Sequence, residues 1–177
     1  LQHLYMLKNK NMTNLQSKLI ADQIDNTRAL TRFYLSKLKK ADVYKSFELN
    51  GIKLNPIIWE IGHLAVSQNW LVLYLGFGNP ERIPWAKEFA LGSVPAVKKE
   101  DYPSYLEIWE TFKRVHNKSI DYVNSLSDEK LALAPKKEIL FIKENNLKHL
   151  FMHSIRHEGI HAGHLSWHCK LFGIKTI

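Results

Sequence analysis

The C-terminal part of the sequence carries a run of histidines whose spacing suits metal chemistry. Six of the nine histidines lie in this one segment: His149, His153, His157, His161, His164 and His168. On an α-helix, which turns by about 100° per residue, all six would project into an arc of roughly 120°. Neutral imidazole is a common ligand of divalent metals, so the stripe predicts a metal site. The alternative is an exposed, partly protonated polar face.

Within this stripe, His157, Glu158 and His161 fit the H-E-x-x-H pattern of zinc proteases, where the Glu is a general base. The third ligand of that class lies downstream, but no Asp or Glu follows Glu158. The extended pattern would also require glycine at His164 and histidine at Trp167. We therefore disfavour a protease. Glu158 lies about 100° round the helix from His157, so we expect it to be solvated or packed against a neighbouring helix.

A third ligand would then come from another helix, and His63 is the leading candidate. It lies in the apolar segment 59–66, where an unpaired imidazole would be costly to bury. Helix axes in a bundle are about 8–10 Å apart, so imidazoles on facing helices can converge on one ion. A single core histidine is more often a hydrogen-bonded structural residue, and that alternative stays open for His63.

Helices must position these residues, and hydrophobic periodicity predicts four long ones. They span about residues 13–40, 55–75, 101–126 and 146–173, with Asn55 and Pro56 opening the second and Asn145-Asn146 capping the fourth. A connector with some β-character is expected at residues 138–142. The pattern indicates an all-α four-helix bundle.

The connection between the second and third helices, residues 77–101, is long and rich in glycine, proline and aromatic residues. Such loops often cover a site or an interface. We expect Trp85 or Phe89 to fold over the open side of the metal cavity and form a wall of the pocket. The alternatives are burial of these aromatics in a homodimer interface, or a plain surface connection.

Composition narrows the class of protein further. A chain of 177 residues fits one domain, here residues 13–177, with residues 1–12 as an N-terminal extension in which Met6 and Met12 are plausible starts. The formal charge is +8, but the lysines are scattered and no nucleic-acid motif is present, so we expect no nucleic-acid partner. The single cysteine, Cys169, and apolar stretches too short to span a bilayer favour a cytoplasmic protein with no membrane association.

Two segments together resemble a known family: Trp59-Glu-Ile-Gly-His63-Leu-Ala and His157-Glu-Gly-Ile-His161-Ala-Gly-His164-Leu. They are similar to the DinB/YfiT-like superfamily, and the segment order, the long linker and the terminal Leu171-Phe-Gly173 agree. The resemblance implies a four-helix bundle, often dimeric, with His63, His157 and His161 holding zinc or nickel, with iron as a third candidate. It also implies a metal-dependent hydrolase or a low-molecular-weight thiol transferase acting on a small molecule, although many relatives have no known activity.

The chain departs from the family where the frequent ending His-Arg-Gly-Gln becomes His161-Ala-Gly-His164, which weakens any inference about substrate. His164 is expected to face the same cavity as a supporting residue, a further ligand or a polar rim residue. His153 and His149 are expected to support the ligands or to be structural, and His168 and His116 have no assigned role. For Glu60, one turn before His63, a surface carboxylate is the favoured interpretation, and the alternative is a partner of the site or a proton acceptor. The competing function is a non-enzymatic metal- or ligand-binding bundle used in stress response.

Overall fold

The structure, a computed structural model, describes residues 14–176, so the expected extension at residues 1–12 lies outside it. Within the described residues there are four α-helices: α1 (Leu15–Lys37), α2 (Ile57–Gln68), α3 (Tyr105–Asn124) and α4 (Leu147–Leu171). A π-helical stretch, Asn69–Tyr74, continues α2. Short 3₁₀ helices cover Ala86–Phe89, Lys99–Asp101 and Lys130–Ala132. The prediction of an all-α four-helix bundle is confirmed.

The helices form a ring in which each has two main neighbours. α1 packs along α4 and α3, and α2 packs along the other sides of α3 and α4. The histidine-bearing helices α2 and α4 are therefore adjacent, as a site shared between them requires. Within residues 14–176 there is no helix with the length and apolarity needed to cross a membrane.

Local chemistry explains where the helices begin, and it corrects two expected boundaries. Asn146 caps α4 as predicted, because its side chain accepts a hydrogen bond from the backbone N–H of His149 at 2.9 Å. α3 begins at Tyr105 and not near residue 101, since Ser104 is the residue that caps it by accepting from Glu107. α2 begins one residue later than expected, with Pro56 at the cap position.

The only strands among residues 14–176 are not where the sequence suggested. Residues 138–142 are irregular, with a turn at residues 140–141, whereas β1 (Glu48–Leu49) pairs antiparallel with β2 (Ile52–Lys53). Asn50 and Gly51 join these strands with φ of 50° and 78°, the left-handed backbone that an Asn-Gly hairpin turn uses. The expectation of β-character at residues 138–142 is therefore wrong.

The buried face of α1 is more polar than its hydrophobic periodicity suggested. Four of the apolar residues that define that periodicity are exposed, namely Leu15, Leu19, Leu30 and Phe33. The buried positions include Ile20, Ile24, Arg28 and Thr31, and Arg28 is fully inaccessible to solvent. The helix therefore presents a charged group to the core, which can be stable only if the charge is paired.

The charge of Arg28 is paired within a buried polar layer. This layer lies between two apolar clusters of the core. Arg28 donates from Nε and Nη2 to the Glu158 carboxylate at 2.5 and 3.1 Å, and from Nη2 to Oε1 of Gln68 at 2.9 Å. Thr31 donates to the same carboxylate at 3.0 Å. Gln68 in turn contacts His116 at 3.4 Å. All four helices contribute to this layer, so it ties the middle of the bundle together.

Candidate metal centre

Three imidazoles from adjacent helices converge on one point of the bundle. The ligand nitrogens of His63 from α2 and of His157 and His161 from α4 all lie within 4.8 Å of one another. The Nε2 atoms of His63 and His157 are 3.2 Å apart. Ligand atoms held about 2 Å from a tetrahedral ion would be roughly 3.3 Å apart, so this spacing fits a metal. The structure therefore brings together the three residues that the sequence predicted as ligands.

The linker fixes the orientation of the His63 ring through Nδ1, the nitrogen that does not face His157. Its Nδ1 donates a hydrogen bond to the backbone carbonyl of Phe89 at 2.7 Å, so Nδ1 carries the proton and the Nε2 lone pair faces His157. The indole of Trp59 stacks on the imidazole, with centroids 4.5 Å apart and planes inclined by 9°. Ser67 donates to Nε2 from 3.2 Å. These contacts hold a neutral imidazole in the tautomer that can bind a metal.

Glycine at position 62 makes the Phe89 contact possible. A Cβ atom on Gly62 would lie 2.3 Å from the Phe89 ring, so no other residue fits without moving that ring. Phe89 is fully buried, and its ring packs edge-on against Trp85 with centroids 5.0 Å apart. Trp85 is also buried and donates from Nε1 to Glu107 at 2.9 Å. The aromatics of the linker thus lie inside the core of their own chain, behind His63.

Glu60 supports the site from the other side, one turn before His63. It is buried, and its Oε2 accepts a hydrogen bond from Nδ1 of His161. Nδ1 of His164 lies 3.4 Å from Oε1. Burial would raise the pKa of this carboxyl, but the hydrogen bonds from His161 and His164 outweigh burial and lower the pKa to about 2. The expectation of a surface carboxylate at Glu60 is therefore wrong.

Burial also keeps two of the imidazoles neutral. Desolvation lowers the pKa of His63, and desolvation with the neighbouring histidines lowers the pKa of His157 to about 3. Neutral imidazole is the form that binds a metal, so these rings need not lose a proton near neutral pH. His164 differs because its ring is half exposed, and the adjacent Glu60 carboxylate raises its pKa. The description of the stripe as an exposed face does not hold for His157, which is half-buried, or for His161, which is buried.

The four remaining histidines among residues 14–176 make other contacts. His153 accepts from Arg156 at 2.9 Å, with its ring centroid 6.3 Å from that of His157. His149 lies beside its capping residue Asn146. The buried His168 donates to the carbonyl of Asn55 at 2.9 Å. His116, also buried, donates to Asp25 at 2.9 Å. Among these four rings, only that of His153 adjoins a candidate ligand.

Glu158 plays no part in the site, although it lies beside His157 in the sequence. Its carboxylate faces α1 and is engaged by Arg28 and Thr31. An anion held by a buried guanidinium is unavailable as the general base of a zinc protease. Of the two expected places for Glu158, the structure shows packing against a neighbouring helix.

Comparison with known proteins agrees with this geometry. The sequence model of the DinB superfamily matches residues 23–165 of the chain. This span holds His63, His157, His161 and His164. No curated protein matches the chain.

Proposed function

The chain belongs to the DinB superfamily, and on this premise we propose that His63, His157 and His161 hold one divalent metal ion. Zinc and nickel are the leading candidates, with iron as the third, because imidazole suits all of them. The observation that supports the proposal most directly is the 3.2 Å between the Nε2 atoms of His63 and His157. The Phe89 carbonyl requires the proton of His63 to be on Nδ1, which leaves the Nε2 lone pair for a metal.

We further propose that the site is enzymatic and acts on a small molecule, either as a hydrolase or as a transferase that uses a low-molecular-weight thiol. An ion with three protein ligands lowers the pKa of a water or thiol that reaches it, which supplies a nucleophile at neutral pH. Glu60 holds His161 in one tautomer, and its buried carboxylate is the proposed acceptor for a released proton. His164, half exposed, gives this end of the site contact with solvent.

The metal proposal is tested by measuring the metal content of protein purified without a histidine tag. We expect near-stoichiometric metal in the unaltered chain and loss of that metal in His157→Ala and His161→Ala. His149→Ala is the matched control, because this residue lies on the same helix and contacts Asn146 instead of the site. Full metal retention in both ligand variants would refute the assignment.

The competing function is a metal- or ligand-binding bundle without catalysis, used in stress response. A screen of thiol cofactors with ester and amide substrates separates the two functions. Turnover that is abolished by chelation and by His63→Ala supports an enzyme. Thermal stabilisation by metal, with no turnover across the screen, supports the binding protein. The homodimer remains part of the proposal, and sedimentation at several protein concentrations tests it.

A further inference from the structure

A second group of metal-ligand atoms lies beside the three-histidine site. One oxygen of Glu60 and one nitrogen each of His161 and His164 lie within 4.8 Å of one another. We propose that these residues form a second divalent-cation subsite that shares His161 with the first, so that one imidazole bridges two ions. The inference rests on the proposed role of His161 as a ligand of the first ion.

The two ring nitrogens of His161 are available to different partners. Nδ1 contacts Glu60, which leaves Nε2 as the nitrogen for the ion shared with His63 and His157. Imidazole can bind a metal through either nitrogen, and through both once its N–H proton is displaced. A second ion would take the place of the proton that Glu60 accepts, and that proton would leave to solvent. The ring is therefore positioned to connect the two sites.

Glu60 has the charge and burial of a cation ligand that lacks a permanent partner. Only 2% of the residue is exposed, and its salt-bridge partners among residues 14–176 are His161 and His164, with no lysine or arginine. Glu158 offers the contrast, because its carboxylate on α4 is neutralised by Arg28. A buried carboxylate needs a nearby positive charge, and a divalent ion would supply one at Glu60 without relying on protonated imidazoles.

His164 provides the third ligand and the route of entry. Its side chain is 49% exposed, whereas that of Glu60 is 3% exposed, so the cluster runs from solvent into the bundle. A carboxylate with two imidazoles is a donor set that suits zinc and neighbouring transition metals. The competing explanation is that Glu60 only orients His161 for a single ion, as carboxylates often do behind metal-bound histidines.

Metal counting on matched variants decides between these explanations. Metal-free protein is dialysed against Zn²⁺, and bound metal is measured per chain for the unaltered protein, His164→Gln and His157→Gln. His149→Gln is the control, because it replaces a partly buried histidine of the same helix that contacts Asn146 and belongs to neither group. We expect two ions in the unaltered chain and in the control, and one ion in His164→Gln.

The outcomes separate the second subsite from the first. One ion in the unaltered chain, lost in His157→Gln and kept in His164→Gln, overturns the second subsite and leaves the first intact. Two ions in both the unaltered chain and His164→Gln also overturn the second subsite, and the absence of any bound ion overturns both sites.

Loading with Cu²⁺ tests whether His161 bridges the two ions. Two ions on one imidazole should couple magnetically and weaken the electron paramagnetic resonance signal, whereas two uncoupled signals would refute sharing of His161.

Discussion

The carbonyl of Phe89 accepts the Nδ1 proton of His63 at 2.7 Å, so a backbone atom of the linker determines which nitrogen of a helical histidine faces the site. Partners of this kind fix the tautomer and orientation of metal-binding histidines. The linker was expected to cover the open side of the cavity, but Phe89 acts from the opposite side, through its main chain. Its contribution therefore depends on how closely residues 86–89 approach α2.

Gly62→Ala tests that approach. A methyl group at this position would lie 2.3 Å from the Phe89 ring and push the linker away from α2. We expect the free energy of unfolding to fall by about 1–3 kcal/mol and metal affinity to fall by about 10-fold, measured by urea denaturation and chelator competition. Gly159→Ala is the control, since a Cβ there meets open space and should stabilise α4 by about 0.5–1 kcal/mol. Unchanged metal affinity in Gly62→Ala would show that the Phe89 contact is dispensable.

Glu60→Gln tests the support of His161. The amide keeps the shape of the side chain but removes the charge that the imidazole contacts. We expect affinity for the first ion to weaken by about 10- to 100-fold, measured by competition with a chromophoric chelator. Glu110→Gln serves as the control, because that carboxylate is 44% exposed and pairs with Lys113 on its own helix. Equal affinities of the two variants would exclude a role for Glu60 in the first site.

Much of this site could be predicted from the sequence, because histidine spacing on α4 and the apolar surroundings of His63 are both local patterns. The cap at Asn146 follows from local chemistry in the same way. The burial of Glu60 was also foreseeable, since it lies in the same apolar segment as His63. The Phe89 carbonyl left no sequence signal, because any residue has a carbonyl and only the folded linker places this one.

Arg28 shows that hydrophobic periodicity alone does not identify the buried face of a helix. It lies four residues after Ile24 on the buried face of α1, a position that periodicity reserves for an apolar side chain. Its partner Glu158 is 130 residues away in the chain, so no local pattern links them. The periodicity of α1 correctly predicted a helix, yet Leu15, Leu19 and Leu30, which contribute to it, are exposed. Which face of a helix is buried depends on distant pairing as well as on side-chain type.

Arg28→Met should destabilise the fold strongly. It leaves the Glu158 carboxylate buried without its cation, and we expect a loss of about 3–5 kcal/mol in urea denaturation. Adding Glu158→Leu should recover much of that loss. Arg114→Met is the matched control, because the Arg114 side chain is 56% exposed and loss of its pair with Glu81 should cost less than about 1 kcal/mol. Comparable losses in Arg28→Met and Arg114→Met would contradict the buried layer described above.

His116 should make stability depend on pH. Burial, followed by the nearby Arg28 guanidinium, lowers its pKa from 6.5 to about 4, against the opposing effects of Asp25 and Glu158. Arg32 adds to the lowering, and the neutral Gln68 contacts the ring. The folded pKa lies below the unfolded one, so this stabilisation is complete above pH 6.5 and is lost as the pH falls towards 4.

The measurement compares unfolding of the metal-free chain and of His116→Gln at pH 7 and pH 5. Where the free energy of unfolding depends most steeply on pH, the contribution of His116 changes it by about 1.4 kcal/mol per pH unit. From pH 7 to pH 5, we expect the free energy of unfolding to fall by roughly 1–2 kcal/mol more in the unaltered chain than in the variant. Other buried histidines affect both proteins alike. Equal losses would mean that His116 titrates normally.

Trp85→Ala separates the explanations offered for the linker. The indole lies in the core of its own chain and binds Glu107, so truncation should cost about 3–5 kcal/mol of unfolding free energy. We expect the sedimentation profile to stay unchanged, since a side chain buried in this way contributes no exposed surface to a partner. Dissociation of an assembly, with unfolding free energy preserved, would instead support an interface role.

The four-residue repeat of histidines on α4 creates an ambiguity that the pair of Arg28 and Glu158 resolves. Sliding the helix along its axis by four residues, about 6 Å, and rotating it by about 40° would bring His153 and His157 to the places of His157 and His161. The imidazoles alone therefore do not distinguish one axial position from the next. Glu158 does, because the residues four before and four after it are Ser154 and Ala162, and neither can neutralise Arg28. A charge pair outside the candidate metal centre thus sets which histidines lie in it.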